Sequence, residues 1–224
     1  ENPFFARNLA NRTWAHFMGP GIVEPVDDVR LTNPPSNPAL LDGLAEDLVR
    51  HGFDFHQLIR TITSSAAYQR SSSVSKNNAR DEQNYSRYLF KQLEAEVFMD
   101  AISQTTGIEE KFDGVPEGSR AIQLWDSQVP HYMLKLFGRP SRVTACDCER
   151  ISEPTVGQVL HVLNSPVIHQ KISHAGGQIA EILASYPEND HLVDELYLTF
   201  FARFPDSNEK KNALEYINSQ PDRR

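Results

Sequence analysis

Helix starts punctuate this chain more densely than any other signal. Asn2-Pro3, Asn37-Pro38, Glu153-Pro154 and Ser165-Pro166 each set a proline behind an oxygen-bearing residue. Proline suits the first turn of a helix, because its fixed φ is already helical and its missing N–H would find no intrahelical acceptor there. Asp54 with Gln57, and Asp206 with Glu209, have the spacing of a capping box, in which two side chains satisfy each other's backbone N–H groups. Apolar residues follow these starts at helical period: Ala6, Ala10, Trp14 and Phe17, then Leu40, Leu41, Leu44, Ala45, Leu48 and Val49, then Phe55, Leu58, Ile59 and Ile62. Val97, Phe98, Ala101 and Ile102 predict a further helix around 94–105. Beyond Pro154 the pattern returns in Val156, Val159, Leu160 and Leu163, and then in groups around Ile168, Ile182, Leu196 and Leu214. Only 120–125 alternates as a strand would. The expected fold is mainly α, a multi-helix bundle with long loops and little or no strand.

One stretch interrupts the pattern. SSSVSKNNARDEQN at 71–84 holds only Val74 and Ala79 as apolar residues, too little buried area to offset the entropy of ordering it. It predicts an exposed, mobile polar loop that divides one helical domain, 1–224, into sub-bundles at 1–70 and 90–224. A length of 224 residues is ample for a core without disulfide or metal staples. The net charge of −8 is shared evenly by the two halves, and no basic arm is present. Binding to a phosphate backbone needs such an arm, so nucleic acid is not an expected partner. No run approaches the ~18 apolar residues of a transmembrane segment. No signal peptide opens the chain, which begins with Glu rather than Met and reads as a processed product or an excised piece.

Three places hold residues with chemical capacity. Cys146 and Cys148 lie in CDCER at 146–150, beside Glu149, Arg150 and then Glu153. In an extended chain the two thiols point to one side, where they could share a metal ion, close a strained disulfide ring, or simply pack in a turn. A structural zinc site wants four ligands, and only His131, His161, His169 or His174 could complete it. The second place is VDDVR at 26–30 with Asn33 close behind. Asp27 and Asp28 could supply oxygen ligands to a hard cation or the carboxylate pair of glycosidic acid/base work, with Arg30 and Asn33 beside them. Adjacent aspartates more commonly cap helices or pair with arginine. The third is His161, on the apolar face of the helix after Pro154, where a hydrogen-bonded core imidazole is the plainer reading and a ligand the sharper one. No GxSxG, phosphate-binding glycine loop, HExxH or haem-attachment CxxCH occurs.

Taken in order, NPFFAR at 2–7, NRTW at 11–14, VDDVR at 26–30, TNPPS at 32–36, PALLD at 38–42 and AYQ at 67–69 form a recognisable series. SRAIQL at 119–124, FGRP at 137–140, CDCER at 146–150, EPT at 153–155, LHVLNS at 160–165 and ELY at 195–197 continue it. The chain resembles the planctomycete domain of unknown function numbered fifteen-fifty-three, a C-terminal module of large proteins. It departs from that pattern at Asn37, where the family often has His, and at Gly43, where it often has a bulky residue such as Trp. The resemblance implies an exported parent protein with a cytochrome c-like, haem-binding segment and a second uncharacterised domain upstream. It therefore implies an oxidising compartment, which favours a disulfide between Cys146 and Cys148. It implies no reaction.

Together these readings favour an accessory or interaction module whose partners are other domains of its parent protein, with no cofactor expected within this chain. The competing readings are a carbohydrate-active or polysaccharide-binding domain built on the Asp27, Asp28 and Arg30 loop with Glu149, Arg150 and Glu153, or a Cys-x-Cys metal or redox site.

Overall fold

The computed structural model describes residues 2–127, 129–140 and 154–221. About half of them lie in ten α-helices and one 3-10 turn, and none of the described residues is in a strand. Among them no helix is long and apolar enough to cross a membrane. The chain forms two compact units, Glu1–Lys91 and Gln92–Arg224.

The first unit packs α1 (Pro3–Met18), α2 (Pro38–Arg50) and α3 (Phe55–Thr63) against one another. Each starts where its cap places it. The Asn2 side chain accepts the Phe4 N–H at 3.0 Å, Asn37 that of Leu40 at 3.1 Å, and Asp54 those of His56 and Gln57 at 2.8 and 3.3 Å. The stripe of α1, Ala10, Trp14 and Met18, meets Leu41, Leu44 and Leu48 of α2 and Leu58 and Ile62 of α3 in one buried cluster. Gly52 ends α2 at φ 64°, which lets Gly52 and Phe53 return their N–H groups to the carbonyls of Val49 and Leu48 at 3.0 and 2.8 Å. At Gly43 an added Cβ would meet nothing within 4 Å, so the backbone there leaves room for a side chain to begin. The polar segment 71–84 is largely exposed and folded in turns. Around its end the Asp81 carboxylate gathers the N–H groups of Gln83, Asn84 and Ser86. The hydroxyls of Tyr85 and Tyr88 then donate to Gly21 O and Phe17 O, each at 3.0 Å, which fastens the chain as far as Lys91 to this unit.

The second unit holds α4 (Ala95–Thr106), the 3-10 turn Ala121–Gln123, α5 (Tyr132–Leu136), α6 (Val156–Asn164), α7 (Pro166–Ile172), α8 (Gln178–Ser185), α9 (Asn189–Phe201) and α10 (Ser207–Ser219). Ala95 and Met99 of α4 pack on Phe112, Leu124, Met133, Leu134 and Phe137. The Asp206–Glu209 capping box forms at the start of α10, and Thr155 with Gln158 makes a second one at α6. The alternating stretch 120–125 is not a strand. The buried Asp100 carboxylate accepts the N–H groups of Ala121 and Ile122 at 2.7 and 3.2 Å and winds them into a 3-10 turn.

Helix α6 reverses its expected orientation. Val156, Val159, Leu160 and Leu163 are 75, 54, 53 and 63% exposed, while Gln158 is buried and donates its amide to Leu136 O at 2.9 Å. Periodicity placed an apolar face on this helix, and the fold turns that face to solvent.

Candidate functional site

The loop between α1 and α2 is held as a knot on α1. Asn11, fully buried, donates its amide to Val23 O and Val26 O at 3.0 and 3.1 Å and accepts the Val23 N–H at 2.9 Å. Asp27 pairs with Arg12 at 2.6 Å, and Asp28 with Arg30 at 2.8 Å. The Asn33 amide donates to Glu24 O at 3.1 Å and Asp28 O at 3.0 Å. Both carboxylates are thus engaged by guanidinium groups at the surface, and Asn33 props the loop backbone. The geometry is that of a structural clasp.

Cys146, Cys148, Glu149, Arg150 and Glu153 lie outside the described residues. His161 is on α6 and half-buried, its ring edge-on to Tyr132 at 5.3 Å and Phe137 at 6.4 Å. It lines a cavity of about 180 Å³ within the second unit.

That cavity brings together groups that no short sequence spacing joins. Met99 and Ile102 of α4, Met133 of α5 and Val167 and Ile168 of α7 form its apolar walls, and Glu110, His131 and Lys171 its polar floor. Lys171, on the last turn of α7, is buried and donates to Ile108 O at 2.7 Å, Glu109 O at 3.1 Å and the Glu110 carboxylate at 3.1 Å. His131 is the N-cap of α5: its Nδ1 accepts the Leu134 N–H, so the Nε2 proton faces Glu110 at 3.5 Å. The hydrogen bond from His131, helped by Lys171 and opposed by burial, holds the Glu110 carboxyl below the usual carboxylate range. A perturbed carboxylate at the floor of an apolar cavity is the arrangement in which binding sites are usually found. The one sequence signal was Lys171, three residues after buried Ile168 on the inward face of a short helix, where an unpartnered lysine would be costly.

A third cluster, Asp190, His191 and Asp194 on α9, has the spacing of a metal site. Lys210 donates to both carboxylates, at 2.8 and 2.9 Å, and so stands where a cation would.

A family model described as PSD1, Protein of unknown function (DUF1553), matches residues 1–217. The chain belongs to the DUF1553 family. No curated protein and no solved structure matches it. The match covers both units of this DUF1553 chain, the clasp and the cavity alike.

Proposed function

We propose that this DUF1553 chain is a helical docking module of a larger, exported protein, and that its partner is another domain of that protein. The observation that carries the reading is the outward stripe of α6. Val156, Val159, Leu160 and Leu163 stand at i, i+3, i+4 and i+7, the positions by which a helix seats in an apolar groove, and Val167 on α7 is exposed as well. Contiguous apolar patches larger than a few hundred Å² are rare on folded monomers, and exposed ones commonly serve as interaction sites. Exported location, and a haem-bearing upstream segment as the first partner to try, follow from the family resemblance. The arginine pairing of Asp27 and Asp28 weighs against acid/base chemistry at that loop.

The test is titration of this chain with the separately produced upstream segment of its parent protein, followed by calorimetry. Binding that is lost in Val159→Asp and in Leu163→Asp, with helical circular dichroism unchanged, supports the reading. Failure to associate at high micromolar concentration, or binding indifferent to both variants, overturns it.

A further inference from the structure

The cavity of the second unit points to a ligand of definite chemistry, independently of the docking reading. Its volume of about 180 Å³ is of the size that takes one small ring, since a buried apolar cavity of ~150 Å³ accommodates benzene. Exposed Tyr132 and Val167 are part of its lining, so it opens to the surface. Its floor carries compensating charges. The Lys171 ammonium has three donors, and Ile108 O, Glu109 O and Glu110 accept them, with Ser103 Oγ a more distant acceptor at 3.5 Å. His131 accepts at Nδ1 and presents its Nε2 proton to Glu110. Neither residue has a hydrogen-bond donor left for a ligand. The Glu110 carboxylate, by contrast, has about four acceptor positions and receives one contact from each of its two partners, so it keeps accepting capacity. Lys171 already offsets the charge of Glu110 at 3.1 Å, so a ligand bringing net charge would add it among Met99, Ile102, Met133 and Ile168 with no unpaired counter-charge.

We propose that this cavity binds a small uncharged molecule with an apolar body and one hydrogen-bond donor, the class of phenols and short-chain alcohols, with Glu110 accepting the donor. The apolar body lies against Met99, Ile102 and Ile168. Ethers and ketones of the same size offer only lone pairs, which the Glu110 carboxylate repels and for which the donors in the lining are those of Tyr132, His161 and Ser165 at the walls rather than any on the floor. Benzoate adds a second negative charge to that of Glu110.

The experiment follows the amide resonances of the isotope-labelled chain during titration with phenol, anisole and benzoate. Phenol is expected to shift residues of α4, α5 and α7 with a Kd of about millimolar, the affinity that seven non-hydrogen atoms can supply. Anisole and benzoate should bind at least about tenfold more weakly, the loss expected from one charge-assisted hydrogen bond. Glu110→Gln, whose amide both donates and accepts, should reduce the preference for phenol over anisole to near unity. Ile102→Phe, which fills the cavity and leaves the floor intact, should abolish binding of all three and keep the fold reported by the remaining spectrum. Anisole binding as tightly as phenol, unchanged selectivity in Glu110→Gln, or phenol shifts that persist in Ile102→Phe would each overturn the proposal, as would no shift up to tens of millimolar phenol.

Discussion

Replacing Asn11 by Ala should loosen the first unit more than any exposed substitution in it. The side chain is fully buried and makes three hydrogen bonds, to Val23 O, Val26 O and Val23 N, within 2.9–3.1 Å. These bonds fix the return of the loop across α1. The fit is close enough that a Cβ at Gly21 would lie 2.4 Å from Val23 O and 3.2 Å from the Asn11 oxygen. Truncation strands a buried N–H and two carbonyls, and stranded groups cost about 1–3 kcal/mol each when water cannot reach them. Water reaches the position of Val26 in part, so the expected loss is about 3 kcal/mol rather than the full sum. In a unit of this size that lowers the melting temperature by roughly 12–24 °C. Tryptophan emission is the assay: Trp14 is buried in the first unit and edge-on to Tyr85 at 5.1 Å, whereas Trp125 is exposed, so the blue component reports this unit's unfolding. Asn11→Leu separates volume from hydrogen bonding, because it fills the space and makes none of the bonds. A loss below about 1 kcal/mol in Asn11→Ala, or wild-type stability in Asn11→Leu, would refute the reasoning.

Three further outcomes concern the second unit. Lys171→Ala leaves Glu110 and two backbone carbonyls without their shared donor and should cost about 3 kcal/mol, read by chemical denaturation, whereas a change within about 0.5 kcal/mol would show that the floor is not an energetic tie. Gly177→Ala brings a methyl to 2.8 Å from Thr106 O, where α8 begins beside the end of α4, and should destabilise by about 1–3 kcal/mol; unchanged unfolding would mean the two ends can part freely. Glu209 is held down to about 2 from an ordinary 4.5, first by its twin bonds to Arg203 at 2.7 Å and then by the Asp206 N–H. Its folded pKa is depressed, so its contribution to stability is complete above about pH 4.5 and drains away as pH falls towards 2. Carboxyl carbon shifts should titrate with a midpoint near 2 in the wild type and nearer the ordinary value in Arg203→Gln; equal midpoints would contradict the pairing.

Local chemistry was legible because it acts over a few residues. Asn2, Asn37, Asp54 and Asp206 cap the helices whose starts they announced, since a cap needs only a side-chain oxygen and an N–H two or three positions on. The clasp was half legible: arginine pairing was the commoner alternative for Asp27 and Asp28, but Arg12, fifteen residues away from Asp27, supplied one partner. The cavity was not legible, because Glu110, His131 and Lys171 come from separate segments and no short spacing links them.

The sequence alone therefore determined that the chain is helical, where most helices begin, and which residues of each form an apolar stripe. Tertiary structure decided which way the stripes face and which charges meet. Periodicity records that Val156, Val159, Leu160 and Leu163 share a face, but whether that face meets the core or solvent depends on what else packs beside the helix, and here buried Gln158 took the inward side. The alternation at 120–125 likewise had a local meaning that a distant carboxylate overrode, because Asp100 satisfied two N–H groups that a strand would have left to a neighbour. Backbone hydrogen bonds must be completed somewhere, and only the folded chain settles where.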